Sequence, residues 1–297
     1  MNAAVFAFEE TQMQARALAG CLGIASHDVS VRSFPDGESL VRVPSAARTA
    51  LLFRSLDRPN AKLVEILLAA SALRDGGAER VILIAPYLAY MRQDMAFHPG
   101  EAVSQRVIGN LIAAHFDGLV TVDPHLHRIA DLGEVIRGID VLSLSAAQAL
   151  GKAIERDLRE DTILVGPDIE SRPWVESIAQ PLGLEVLVGE KQRFGDRKVD
   201  LIVPAVERVR DRPAILVDDL ISSGTTLLAC AGLLKDAGAT SVEAIATHCL
   251  ASAADLAHLT ANSIDRIRTS DTVPGSVAEI SIAETLARAI RRQGWVG

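Results

Sequence analysis

The sequence predicts an α/β protein of two similar domains, each a mostly parallel sheet flanked by helices. Three observations predict it. Short apolar runs alternate with helix-period segments along the whole chain, the pattern of parallel strands joined by crossover helices. Aromatic residues make up only 4% of a chain that is 49% hydrophobic, so the core is aliphatic, as in sheets covered on both faces. The outline of Leu63–Val81 (helix, Asp-Gly-Gly, strand) returns in Thr225–Val242 (helix, Asp-Ala-Gly, strand), as expected if one α/β unit was duplicated. At 297 residues the chain has room for two domains of about 150 residues.

The elements follow in order. Strands are expected at Ala4–Ala7, Ala50–Phe53, Arg80–Ala85, Gly118–Val122, Thr162–Val165, Glu185–Val188, Leu201–Val203, Ala214–Val217 and Ser241–Ala246, each a short apolar or β-branched run. Helical periodicity covers Ala61–Arg74, Ala102–Ala114, Ser145–Arg156, Thr225–Lys235 and Ala253–Leu259. Ser281–Arg292 reads as an amphipathic helix with Arg288, Arg291 and Arg292 toward its C-terminus, where cations suit the helix dipole. Domain boundaries are expected at 1–144, 145–280 and 281–297, with the last helix packing back on the first domain.

Composition narrows the function classes. The net charge of −8 argues against nucleic acid as the main partner. No apolar run is long enough to span a bilayer, and the N-terminus lacks the pattern of a signal peptide. Cys21, Cys230 and Cys249 have no metal-ligand spacing and read as free thiols of a reducing compartment, so a cytoplasmic location is expected.

The chemistry concentrates at expected strand ends. In Ala214–Thr226 an apolar strand stops on Asp218 and Asp219, then passes through Ser222, Ser223, Gly224, Thr225 and Thr226 into a helix. Backbone N–H groups and hydroxyls at a helix start can cradle a phosphate, and the carboxylates can accept hydrogen bonds from sugar hydroxyls or sit near a metal. Capping alone could explain one Asp; two adjacent acids exceed what a cap needs. Phe34-Pro35-Asp36-Gly37-Glu38 satisfies turn chemistry without any function. Arg92, Gln93 and Asp94 follow the Arg80–Ala85 strand as a polar loop. Asp123 and His125 follow another strand and Asp168 a third, where a carboxylate or imidazole can bind a divalent cation or serve the fold. Glu190–Lys198 is a basic loop that in isolation reads as a solvated charge run.

Taken in order, these motifs resemble the ribose-phosphate pyrophosphokinase family, and the Asp218-Asp219 loop resembles the ribose-phosphate signature of the phosphoribosyltransferase fold. The resemblance runs through Ala246-Thr247-His248 and Thr269–Pro274, and the Phe97–Ser104 segment is closer to the archaeal-type branch. It implies two phosphoribosyltransferase-type domains and transfer of the diphosphoryl group of ATP to ribose 5-phosphate. It further implies that Phe34, Asp36, Gly37 and Glu38 meet ATP, from a neighbouring subunit of a homo-oligomer, together with Arg92, Gln93 and Asp94. His125 and Asp168 match magnesium positions, and Lys191 and Arg193 a catalytic basic pair on a mobile loop. Asp218, Asp219, Ser222, Ser223, Gly224, Thr225 and Thr226 would hold the ribose phosphate.

Departures from the family pattern are Ile169–Trp174 after Pro167-Asp168, where a Gly-containing turn is usual, Ser223 and Thr225 in the phosphate loop, and Met95-Ala96-Phe97 in place of basic residues. Two alternatives stay open. A phosphoribosyltransferase shares the Asp-Asp loop but needs no duplicated half or Lys-x-Arg loop. A non-catalytic regulatory homologue would tend to lose Lys191 and Arg193.

Overall fold

The computed structural model describes residues 2–44, 47–126, 129, 131–194 and 198–296, with the side chains of 191–194 and 198–200 outside the description. The chain divides into two compact units, Met1–Ser145 with Ser281–Gly297, and Ala146–Ile280.

The first unit holds β1 (Ala3–Phe8), α1 (Gln12–Leu22), β2 (Ala25–Ser33), β3 (Ser39–Arg42), β4 (Thr49–Phe53), α2 (Pro59–Asp75), β5 (Arg80–Ile84), α3 (Ser104–His115), β6 (Gly118–Val122) and β7 (Asp140–Leu144). Its sheet runs β3-β2-β1-β4-β5-β6-β7, parallel except for the β2–β3 hairpin at one edge. Every residue of β1 is buried, because helices cover both faces of a parallel sheet. The order reverses between β1 and β4, and in open α/β sheets the crevice at such a point, outside the strands' carboxyl ends, is where ligands bind.

The second unit holds α4 (Ala147–Arg156), β8 (Ile163–Gly166), α5 (Arg172–Leu182), β9 (Glu185–Val188), β10 (Glu190–Phe194), β11 (Lys198–Ile202), β12 (Pro213–Ile221), α6 (Thr225–Asp236), β13 (Ser241–Cys249), α7 (Ala253–Ala261), β14 (Arg266–Ser270) and β15 (Ala278–Ile280). Its main sheet is parallel throughout, in the order β15-β14-β13-β12-β8-β9, while β10 and β11 form a separate antiparallel pair. Here the order reverses between β8 and β12. Arg268, only 4% exposed in β14, pairs with Asp157 at 3.0 Å and with Glu243, which satisfies its buried charge.

The chain then returns to the first unit with α8 (Ala283–Arg292). Leu286, Ala287 and Ile290 are its buried face, against α1, and Arg291 donates to the Cys21 carbonyl near the end of α1. Beyond it Trp295 is buried beside Gly118, where a Cβ would approach the indole to 2.9 Å.

Several elements differ from the sequence expectation. The apolar runs and helical periodicity do not mark β2, β3, β7, β14, β15, α1 or α5, and Glu190–Phe194, expected as part of a basic loop, is a strand. β12 continues four residues past Val217, so Asp218 and Asp219 lie inside a strand rather than after one. The physical cause is β13, which extends equally far and keeps pairing, Leu220 opposite His248 and Ile221 opposite Cys249.

Candidate functional site

In the second unit the site is built by strands of unequal length. β8 pairs with β12 only as far as Val165 opposite Leu216, and then turns into Pro167-Asp168. Asp218 and Asp219 therefore project past the end of β8, at the reversal of strand order. Asp218 Oδ1 accepts from the Asp219 N–H at 2.9 Å. Burial, then the charges of Asp219 and Asp168, hold the Asp218 carboxyl well above the usual carboxylate range. The same forces act on Cys230 of α6, whose thiol is pushed up to about 12, first by burial and then by Asp218 and Asp168. Such crowding of acids favours a ligand that brings positive charge or hydroxyl donors.

The phosphate loop follows directly. Ser222, Ser223 and Thr225 are exposed and Thr226 is half-buried. Ser223 Oγ and Thr225 Oγ1 lie 3.0 Å apart. Gly224 starts α6 with φ +73°, a left-handed conformation, and a Cβ there would come within 2.6 Å of Leu259. Gly224 at its N-cap has no side chain to cap it, so among the described residues the first turn of this twelve-residue helix presents N–H groups without a side-chain cap.

Asp168 has a structural duty as well. Its Oδ1 accepts from the Ser171 N–H at 3.3 Å and its own N–H donates to Ser171 Oγ at 3.5 Å, a capping box that starts a short 3₁₀ turn, 169–171, leading into α5; Ser171 Oγ in turn donates to the Asp168 carbonyl at 2.5 Å. The bulky segment Ile169–Trp174 is thus turn and helix start rather than loop. A cavity of about 400 Å³ is lined by Asp168, Ile169, Glu170 and Glu190. Glu190 begins β10, the strand that carries Lys191 and Arg193, which pair with Leu201 and Val199. The side chains of both basic residues, and the tip 195–197 of their hairpin, lie outside the described residues.

The remaining candidates belong to the first unit. Arg92, Gln93 and Asp94 follow β5, and His125 follows β6, its neighbour, so these loops share the carboxyl end of the sheet. Gln93 Nε2 reaches Glu101 Oε2 at 3.4 Å, and the same oxygen accepts the N–H groups of Phe97 and His98 at 2.9 and 3.2 Å. Glu101 therefore organises the loop, a role that no local sequence pattern marked. Beside His125, Asp123 takes φ +40°, a left-handed conformation for a non-glycine residue. His127 lies outside the described residues.

Phe34, Asp36, Gly37 and Glu38 form the exposed tip of the β2–β3 hairpin. The tip is held by its own bonds, from the Phe34 N–H to Glu38 O (2.7 Å), from the Gly37 N–H to Phe34 O (2.9 Å) and from the Glu38 N–H to Asp36 Oδ1 (3.2 Å). The Arg32 guanidinium lies 5.1 Å from the Phe34 ring centroid.

Two features bear on a metal. Asp168 and Asp219 crowd Asp218 with negative charge, which a cation would offset. Among the described residues, no three His, Cys, Asp or Glu side chains converge. The carboxylates of Asp168, Asp218 and Asp219 are oxygen donors of the kind magnesium takes, one or two at a time, with water and substrate phosphates completing its shell. No helix of the described residues is long and apolar enough to cross a membrane.

Residues 3–115 match the N-terminal domain of ribose phosphate pyrophosphokinase, and residues 182–293 match the phosphoribosyl synthetase-associated domain. A ribose-phosphate pyrophosphokinase from Methanopyrus kandleri is 36% identical over 289 residues, covering 96% of this chain and 98% of that one. One from Halobacterium salinarum is 31% identical, covering 94% of this chain and 98% of its own length. The crystal structure of phosphoribosylpyrophosphate synthetase from Mycobacterium smegmatis superposes with a TM-score of 0.83 at 26% identity, covering 100% of both chains.

Proposed function

The chain belongs to the ribose-phosphate pyrophosphokinase family, and from that premise we infer that it transfers the diphosphoryl group of ATP to the anomeric hydroxyl of ribose 5-phosphate. The products are phosphoribosyl pyrophosphate and AMP. In the transfer a bond forms between the anomeric oxygen and the β-phosphorus, and the bond from that phosphorus to the oxygen kept by AMP breaks. The proton of the hydroxyl is released to water as AMP leaves. Such a displacement asks the protein for alignment and for positive charge against the leaving oxygen, with little covalent chemistry.

We assign the acceptor half to the second unit. Asp218 and Asp219 would take the ribose hydroxyls, and Ser222, Ser223, Gly224, Thr225, Thr226 and the start of α6 the 5-phosphate. The observation that carries this assignment is the pair of carboxylates running past the end of β8 beside an uncapped helix start. Lys191 and Arg193, on the hairpin strand next to Glu190, would bring positive charge to the transferred group. Arg92, Gln93 and Asp94 would hold ATP in the first unit. His125 in the first unit and Asp168 in the second are each proposed as magnesium ligands, and the ion when bound would neutralise charge on the triphosphate.

We also propose a homo-oligomer in which the Phe34, Asp36, Gly37 and Glu38 tip serves a neighbouring subunit. Within one chain β2 stands three strands away from β5, about 14 Å at the usual strand spacing, and its tip is exposed. We propose a cytoplasmic location, the expectation drawn from the spacing of Cys21, Cys230 and Cys249.

The test is incubation with ATP, magnesium and ribose 5-phosphate, following AMP and phosphoribosyl pyrophosphate together. Equimolar, magnesium-dependent formation of both is expected. Lys191→Ala should lower kcat by about 10²–10³, the scale of one lost transition-state contact. Undiminished turnover in that variant would overturn the role given to the hairpin.

A further inference from the structure

In the first unit the crevice where strand order reverses is filled from within. Arg54 directly follows β4 and is 5% exposed. Its guanidinium lies 3.8 Å from the Phe8 ring centroid, at the end of β1, and its Nε donates to Glu10 Oε1 at 2.8 Å. Its Nη1 meets Glu65 Oε2 of α2 at 2.5 Å. Glu65 is 7% exposed, and its other oxygen, Oε1, accepts from Ser39 Oγ at 2.8 Å.

Ser39 begins β3, immediately after Glu38, and its partner across the hairpin is Ser33, immediately before Phe34. It therefore closes the base of the loop that carries Phe34, Asp36 and Glu38. β2 is held by β1 only as far as Val29, its one buried residue, and beyond that point the hairpin is sparsely anchored, since no residue of β3 is buried and Val41 packs only partly against the core. A stalk that projects ligand-binding side chains needs a fixed bearing, because misorientation of a bound group costs productive encounters.

We propose that Glu65 is a positioning residue for ATP, tying the base of the 34–38 loop to the ion pair that plugs the crevice between β1 and β4. The proposal rests on the reading that this loop meets ATP. Glu65 touches no substrate. Its ion pair with Arg54 fixes one oxygen inside the unit, and the other oxygen sets the direction in which the hairpin leaves the sheet.

Ser39→Ala removes the tie without disturbing the buried ion pair, Ser39→Thr keeps the hydroxyl, and Glu65→Gln removes the charge. The KM for ATP should rise about tenfold in Ser39→Ala and in Glu65→Gln, the ratio for one lost hydrogen bond to a charged group. The double variant should rise no further. Ser39→Thr should stay near wild type, and kcat and the KM for ribose 5-phosphate should hardly move. Amide hydrogen exchange at Phe34 and Gly37, whose N–H groups close the loop, should speed up in Ser39→Ala. A parallel rise of both KM values, multiplied effects in the double variant, or unchanged exchange would overturn the proposal. Phe34→Ala serves as the control. If it leaves the KM for ATP unchanged, the loop's ATP role fails, and exchange alone then decides the tie: faster exchange upholds it and unchanged exchange overturns it.

Discussion

Replacing Gly224 with alanine tests the geometry of the phosphate loop most directly. Two costs add at this position. The left-handed conformation, φ +73°, costs a residue with a Cβ about 1–2 kcal/mol. The new methyl would also lie 2.6 Å from Leu259 Cδ1, and Leu259 is only 1% exposed, so it has no room to withdraw. Overpacking of this kind costs about 1–3 kcal/mol, giving about 2–5 kcal/mol together. Urea unfolding followed by circular dichroism should show a lower midpoint at unchanged slope. Gly232→Ala, in the interior of the same helix with nothing within 4 Å, is the control and should gain about 0.5–1 kcal/mol. Because the same turn aims the first N–H groups of α6, the KM for ribose 5-phosphate should rise in Gly224→Ala alone. A Gly224→Ala protein as stable as Gly232→Ala would refute the reasoning, since strain and contact would then both be absent.

Asp218→Asn should flatten the pH dependence of the ligand-free protein. Burial and the neighbouring acids raise the folded-state pKa of Asp218 above its unfolded value, so between the two values the folded protein binds more protons and stability falls as pH rises. Thermal melts across the acid-to-neutral range would refute this if wild type and variant kept the same slope. Gly118→Ala should destabilise the first unit by about 1–3 kcal/mol, because its Cβ would meet Ile82 and Trp295 at 2.9 Å. Trp295→Phe should relieve part of that loss, and equal urea midpoints with and without it would speak against the contact. Glu101→Ala should release the Phe97 and His98 amides, raising the KM for ATP roughly threefold to tenfold and hastening proteolysis between 92 and 101. An unchanged cleavage pattern would remove Glu101 from its organising role.

Much of the second unit was legible in the sequence because its central strands are apolar runs buried on both faces, such as Ala214–Val217, and the loops after them carry the polar chemistry. The edges were not. β2 reads Ala-Ser-His-Asp-Val-Ser-Val-Arg-Ser and buries only Val29, and its alternation is confined to Asp28–Arg32, with two apolar residues, too little to mark a strand. β14 was hidden by Arg268, a charge that is buried only because Asp157 and Glu243, both distant in sequence, meet it. α5 was obscured by Pro173, which sits in its first turn where a proline is tolerated, and by Pro181 near its end. In the candidate site the motif residues could be named in advance, but their setting could not. That Asp168 caps a turn depends on Ser171, and the link from Ser39 through Glu65 to Arg54 and Glu10 joins four segments that no local pattern connects.

The return of α8 to the first unit also orders events on the ribosome. The start of β6 at Gly118 and the face of α1 wait for Leu286, Ile290 and Trp295, which are made only after all of residues 146–280. At about 5–20 residues per second that delay is on the order of ten seconds. In that time the second unit, contiguous in sequence, can complete its fold while the first still exposes the apolar surface reserved for its final helix. A released chain ending before Ser281 would therefore present a finished second unit and an unfinished first one.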